Sequence, residues 1–453
     1  MRNCLPRGRV LPGLLLAVLA GCSMTPEYQR PLLPVPAEWP ASVKVDATIT
    51  AKPDTRGGTV RPGWRELFPQ QAMQTLIAAA LEHNRDLMIA VARVEEAGAL
   101  AGYVRADRYP NLDFSAQSSI ELSGDRARTN TSALSVTAFE LDFWGRVQNL
   151  DMAARQRFLA TDLALETFRQ VLISDVVGGY FSLIELSQRA ALAVATVGTR
   201  EQSHRLVAAR RDAGLAGDLD VLAADAALNI ARADLASLSR QRTAIENALR
   251  LLVGSTSFDA SEIVSTAVMP ELPPIGLSST LADEVLLRRP DVMAAEERLR
   301  AANADVGAAR AAWLPKLALS LSASGGVISL TPGLRLPLFD GGRNVDNIDQ
   351  ADARKRVAIA DYEKVIQQAY RETADLLDAQ FRLAEQAKAL SAGQAGQAAR
   401  LRIVEARHAV GVSSYLELLD AQREDYAARQ ALLAVQRQQQ TTIAGLYKAL
   451  GML

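Results

Sequence analysis

The most constraining feature of this chain is a run of 67 residues, Arg343 to Ala409, with no proline and only two glycines, Gly393 and Gly396. As one helix it would be roughly 100 Å long. Helical periods far beyond about 25 residues belong to coiled coils, membrane spans or helical repeats. Arg, Lys, Glu and Asp recur along the run, which excludes a span through lipid. The chain reverses at Val410-Gly411-Val412-Ser413-Ser414 and returns from Tyr415 to Leu450. The expected unit is a long antiparallel helical hairpin.

The first half of the chain carries the same unit. Helix is expected from about Gln71 to Arg108, where Tyr109-Pro110 stops it. A second run starts at Gly145-Arg146, turns at Ala213-Gly214-Leu215-Ala216-Gly217 and returns to Gly254. After a linker with Pro270, Pro273 and Pro274 the order begins again, with helix over Ser279–Ala312 and a stop at Trp313-Leu314-Pro315. At an offset of 205, Asp86, Arg93, Arg105 and Pro110 meet Asp291, Arg298, Arg310 and Pro315. At an offset of 197, Gly145, Arg205, Gly214 and Gly254 meet Gly342, Arg402, Gly411 and Gly451. A duplication that keeps its helix lengths marks a structural repeat.

Between the helical parts the period changes from 3.6 to 2. Leu112, Phe114, Ala116, Ile120 and Leu122 alternate with polar residues, Gly124-Asp125-Arg126 begins a turn, and Leu134, Val136 and Ala138 alternate with Ser135 and Thr137. The second copy alternates Leu317, Leu319, Leu321 and Ala323 with Ala318, Ser320, Ser322 and Ser324, turns at Gly325-Gly326, and returns through Leu334, Leu336 and Leu338. Strands of about 10 residues suit a tilted membrane hairpin. In that reading Leu319 faces lipid and Ser320 the lumen. Four strands cannot close a barrel, and open edges are not tolerated in lipid. Three copies supply twelve strands.

Residues 1–21 read as a targeting segment: Arg2, Arg7 and Arg9, then the short apolar run Val10 to Ala20. It ends in Leu19-Ala20-Gly21-Cys22, which resembles a bacterial lipoprotein box in which Cys22 is the expected lipidated residue. Ser23 fits sorting to the outer membrane. Removing this segment takes away three arginines and Cys4, and shifts the net charge from −1 to −4. No thiol then remains for a disulfide, a metal or nucleophilic catalysis. Residues 22–68 form a proline-rich tether that Trp39, Trp64 and Phe68 can pin to the body. The balanced charge gives no basic field for nucleic acid. His83, His204 and His408 lie far apart among polar neighbours and read as surface residues.

The sequence resembles the TolC family of outer-membrane efflux proteins, most closely its OprM/NodT lipoprotein branch. The likeness rests on Gly21-Cys22-Ser23-Met24-Thr25-Pro26-Glu27-Tyr28, Trp64-Arg65-Glu66-Leu67-Phe68 and His83-Asn84-Arg85-Asp86-Leu87. It continues in Glu140-Leu141-Asp142-Phe143-Trp144-Gly145-Arg146, Leu287-Arg288-Arg289-Pro290-Asp291, Pro337-Leu338-Phe339-Asp340-Gly341-Gly342-Arg343 and Glu417-Leu418-Leu419-Asp420-Ala421-Gln422. The expected fold is mainly α with a small β part. Residues 69–254 form the first repeat, with a membrane β-hairpin at about 111–143 and a helical hairpin at 145–253. Residues 255–278 form an equatorial linker. Residues 279–453 form the second repeat, with its β-hairpin at about 316–339 and helical hairpin at 343–450.

The resemblance implies a homotrimer with a twelve-stranded transmembrane β-barrel and a periplasmic α-barrel. It implies a passive duct without catalytic chemistry, cofactor or metal, working with a periplasmic adaptor and an inner-membrane pump of RND type. The tips Gly214, Leu215, Val410, Gly411 and Val412 are expected to dock the adaptor. Glu417 and Asp420, with Asp220 as the first-repeat counterpart, are expected to ring the periplasmic aperture. Ala223 replaces Asp420 in the first repeat. Ser413 stands where some members carry a latching arginine. Two other readings, a protein-secretion duct and a lipid-anchored coiled-coil scaffold, differ in cargo and in whether a membrane hairpin is needed.

Overall fold

The computed structural model describes residues 24–40, 63–120, 128–254, 269–275 and 282–453. Cys22, the Gly124-Asp125-Arg126 turn, most of the 255–278 linker and the middle of the tether lie outside the described residues. The elements in order are α1 (Trp64–Leu67), α2 (Gln71–His83), α3 (Arg85–Ala106), β1 (Leu112–Ile120), β2 (Arg128–Leu141), α4 (Arg146–Asp212) and α5 (Asp218–Val253). Then follow α6 (Ala282–Leu286), α7 (Pro290–Ala311), β3 (Lys316–Ser324), β4 (Val327–Arg335), α8 (Arg343–Ala409) and α9 (Tyr415–Ala449). Among the described residues no helix is long and apolar enough to cross a membrane.

The chain divides into two compact units, and neither follows the duplication. One holds residues 1–34, 91–165 and 290–367; the other holds 35–90, 166–289 and 368–453. Each draws on both repeats, because a single helical hairpin cannot cover its own apolar faces.

The first unit contains an antiparallel sheet in the order β1-β2-β3-β4. The β3–β4 loop has Gly325 at φ 55° and Gly326 at φ 84°, the two positive values that a tight type I′ turn requires. Register decides the faces. Leu134, Val136, Phe139 and Leu141 of β2 stand opposite Ala323, Leu321, Leu319 and Leu317 of β3. The apolar positions of β2 are even before Ala138 and odd after it. A β-bulge between Val136 and Phe139 makes the change. Ala138 sits at φ 48°, and its N–H donates to Ser320 Oγ at 3.0 Å. The expected alternation of Ala138 with Leu134 and Val136 is therefore corrected: the strand steps out of phase there. Without the bulge, Phe139 and Leu141 would turn to the polar face. β4 ends at Arg335, so Leu336 and Leu338 lie beyond the strand.

Below the sheet, α7 buries an alanine-rich surface: Ala294, Ala295, Ala301, Ala304, Ala308, Ala309 and Ala311. Val306 and Ala309 of this helix pack against Ala351 of α8. The tether runs along α7 in the opposite direction. Thr25 meets Gly307, where an added Cβ would lie 2.6 Å from Thr25 Oγ1. Asn303 donates to the Pro26 carbonyl at 2.8 Å. Arg30 grips Glu296 with bonds of 2.9 to 3.0 Å, and Tyr28 donates to the same carboxylate at 3.1 Å. Burial, then Glu296, pushes the Tyr28 hydroxyl up to about 12. Positions 296, 300, 303 and 307 share one helix face.

In the second unit, two helices expected to be continuous are broken. Asn84 separates α2 from α3. Its side-chain oxygen accepts from the Leu87 N–H at 2.8 Å, and its amide donates to the Leu252 carbonyl at 2.8 Å. An asparagine that caps one helix and holds another is stronger than the periodicity around it. The expected helix over Ser279–Ala312 is likewise divided into α6 and α7 before Pro290, because proline favours the first helical turn and disfavours helix before it. Trp39 stacks on Tyr370 at 5.2 Å, and Phe68 meets Tyr447 edge-on at 5.7 Å. These contacts hold Trp39 against α8 and Phe68 against α9, whereas the Trp64 ring carries its neighbour Arg65 at 4.4 Å. Arg289 and Lys448 converge on Glu372 at 2.7 Å each.

Candidate functional site at the hairpin tips

Both helical hairpins reverse through the same backbone device. At the first tip Gly214 has φ +73°, Leu215 N–H donates to Arg210 O at 2.7 Å, and Gly214 N–H donates to Arg211 O at 2.8 Å. At the second, Gly411 has φ +79°, Val412 N–H donates to Arg407 O at 2.9 Å, and Gly411 N–H donates to His408 O at 3.0 Å. This Schellman arrangement satisfies the last carbonyls of each long helix, and only glycine enters its left-handed position without strain. The open space around both glycines shows that the turn itself, not close packing, selects them.

The return helices start differently. Ser414 Oγ accepts from the Glu417 N–H at 3.1 Å and caps α9. At α5 the Asp220 carboxylate accepts from the Gly217 N–H at 3.3 Å. Gly217 has no side chain, so the reciprocal capping bond is missing. His408 was expected on the open surface. Instead its ring closes the second turn: Nδ1–H donates to the Ser413 carbonyl at 2.9 Å, and the ring lies 6.2 Å from Tyr415.

The three predicted aperture carboxylates have separate environments. Asp420 accepts from Arg400 at 2.8 Å and from Arg423 at 2.9 Å. The bond from Arg400 holds this carboxyl below the usual range. Glu417 is half-buried and makes no ion pair among the described residues. No hydrogen bond or ion pair among them joins Asp220 to Glu417 or Asp420. Of Glu417 and Asp420, only Asp420 is therefore ion-paired among the described residues. Arg423 was readable as the i+3 partner of Asp420. Arg400 was not, because it lies across the turn on the other arm.

Apolar side chains surround both turns. Leu215, Leu219, Val410, Val412 and Leu416 are each more than half exposed, at 79, 83, 75, 65 and 72%. A group of large exposed apolar residues makes this end a candidate interaction surface. Above the tips, side chains tie α4, α5 and α9 together. Arg200 donates to Gln422 at 2.5 Å, and burial lowers the Arg200 pKa. Asp234 accepts from the Tyr426 hydroxyl and, at 3.2 Å, from Gln430. Arg189 donates to Gln430 at 2.9 Å and pairs with Glu185 at the same distance. A cavity of about 550 Å³ lies among these helices, with Ile230, Asp234, Leu416, Leu419 and Tyr426 in its wall. Among the described residues no three His, Cys, Asp or Glu side chains gather as a metal set.

The sequence profile described as outer membrane efflux protein matches residues 76–255 and 281–452, one segment for each repeat. This chain belongs to the outer membrane efflux protein family. It is 35% identical to the cation efflux system protein CusC of Escherichia coli strain K12, over 98% of this chain and 99% of that protein. It is also 35% identical to the toluene efflux pump outer membrane protein TtgI of Pseudomonas putida, over 97% of each. Among solved structures it matches the open state of the Neisseria gonorrhoeae MtrE outer membrane channel with a TM-score of 0.80 and 30% identity, covering 95% of this chain and 98% of that one. Family membership makes the chain an outer-membrane efflux channel that extends into the periplasm.

Proposed function

We propose that three copies of this chain form a closed duct that carries small molecules outward, with no chemistry of its own. The observation that carries the reading is the sheet. It has one apolar face kept continuous by the bulge, and β1 and β4 each have an unpaired edge among the described residues. Such edges are costly in hydrocarbon, and β1 of one copy against β4 of the next closes twelve strands. The exposed apolar tips around Gly214 and Gly411 receive a periplasmic adaptor, and an inner-membrane pump supplies energy. Glu417 of three copies lines the entrance, with Asp420 held in its arginine pairs. Cys22 carries the lipid that fastens the tether to the membrane. The relatives are named for cations and for toluene, so a common duct serves unlike cargo, and selection falls to the pump and adaptor.

The test is the mass of the detergent-extracted protein, with export assayed in parallel. Three chains are expected. A monomer that still exports would end the twelve-strand reading. Gly411→Trp is expected to block export while the trimer and its insertion persist, and Cys22→Ser to remove lipid labelling.

A further inference from the structure

The two repeats differ at one paired position close to the sheet. In the second repeat Arg310, near the end of α7, pairs with Asp352 of α8 at 3.7 Å. The duplication places Arg105 of α3 at the position of Arg310, and Arg155 of α4 at the position of Asp352. The acidic partner has become a second arginine. Arg105 and Arg155 line one groove of about 480 Å³ together with Arg108, Asp151, Phe158, Gly98, Ala101 and Gly102. Arg108 pairs with Asp151 at 2.9 Å. Neither Arg105 nor Arg155 has an ion pair among the described residues, so the groove holds three guanidinium groups against one carboxylate. Like charges gathered on a low-dielectric wall repel, and an anion between them removes the repulsion.

The location identifies the anion. Arg105 is in the last turn of α3, and β1 begins seven residues later at Leu112. Leu112 and Phe114, exposed by 64 and 72%, start the apolar face of the sheet. Tyr103 and Tyr109 flank the arginines and are exposed by 75 and 60%. Exposed tyrosines beside basic residues, next to an apolar membrane-crossing surface, mark the level of lipid headgroups. A phosphate at Arg105 and Arg155 leaves acyl chains free to rise along Leu112 and Phe114. The small residues Gly98, Ala101 and Gly102 keep the groove open.

We propose that the groove between α3 and α4 binds the phosphate of an anionic phospholipid in the periplasm-facing leaflet, through Arg105, Arg108 and Arg155. The proposal rests on the strands lying in the membrane and says which lipid the first repeat selects. It separates the repeats: the second neutralises this position internally, and the first does so with lipid.

The experiment uses the full chain in nanodiscs of phosphatidylethanolamine alone or mixed with phosphatidylglycerol. Lipid retained after gentle extraction is counted by native mass spectrometry. Wild type is expected to retain phosphatidylglycerol in preference to phosphatidylethanolamine. Arg105→Gln/Arg155→Gln is expected to weaken that retention about 25-fold, from roughly fivefold per arginine near an anionic headgroup. Arg155→Asp recreates the pair of the second repeat. It is expected to assemble and insert normally and to lose phosphatidylglycerol to a similar extent. Equal retention by all three proteins overturns the proposal. Displacement of phosphatidylglycerol by millimolar inorganic phosphate makes the groove a free-anion site and overturns the lipid assignment. Loss of the oligomer on Arg155→Asp, with no lipid preference in wild type, assigns the arginines to carboxylates of a neighbouring copy instead.

Discussion

The first and second hairpin tips share a backbone and differ in charge. Both turns have a left-handed glycine and the same pair of carbonyl-satisfying bonds. At the second tip Arg400, Asp420 and Arg423 form one ion-paired group. Their first-repeat counterparts, at the offset of 197, are Ser203, Ala223 and Ala226. The whole group is absent there, not one member of it. Turn geometry is imposed by the chain reversal and so is duplicated faithfully. Charge is under no such constraint from the reversal, and the two tips differ in it.

The same contrast holds in the sheet and gives the largest expected effect. The second β-hairpin keeps one phase, whereas the first shifts phase at Ala138. Phe139→Arg and Leu319→Arg therefore both place a charge on the apolar face. Each is expected to cost up to ~2–4 kcal/mol near the midplane, read by urea unfolding in bilayers. Ser320→Arg, on the polar face, is expected to cost less, about 1 kcal/mol for the bond lost to Ala138. A mild Phe139→Arg would mean that the bulge does not set the phase.

Smaller effects are expected at the tips. Ser414→Ala removes a helix cap and is expected to cost about 1 kcal/mol, while Gly217→Ala, where no side-chain cap bond exists to lose, is expected to cost less. Protection of the two tips in hydrogen exchange reads the difference. Similar losses would show that Ser414 does not hold the second tip.

Conduction sharpens the comparison further. With Asp420 paired, Glu417→Ala alone is expected to remove most of the cation selectivity in planar bilayers. Asp420→Ala is expected to alter it less, and Asp220→Ala least. If the single Asp420 variant matches the Glu417 variant, the arginine pairs do not screen the entrance.

The smallest effect is expected from pH. The folded Asp420 carboxyl lies below its unfolded value because Arg400 bonds to it. The stability it contributes is therefore present above the ordinary carboxylate pKa and is lost as pH falls through the lowered folded value. Protection at the second tip is expected to hold from pH 7 to about 5 and to fall below about 4, with no matching fall at the first tip. Equal acid loosening of both tips would show that the ion pairs are incidental.

The sequence by itself determined the duplication, the long proline-free arms, the glycine turns and the two-residue period of the strands. Each of these is a local property: a residue type, a spacing or a backbone angle that one stretch of chain imposes on itself. The family likeness was legible for the same reason, since its motifs are short and fall in a fixed order. Only the tertiary structure decided the break at Asn84, whose amide reaches Leu252, and the bulge at Ala138, whose N–H reaches Ser320. It alone paired Asp420 with Arg400, set the His408 ring on the Ser413 carbonyl and brought Arg105 and Arg155 to one groove. These depend on groups brought together from distant positions, where a hydrogen bond or a like charge outweighs the periodicity of the helix or strand that carries it.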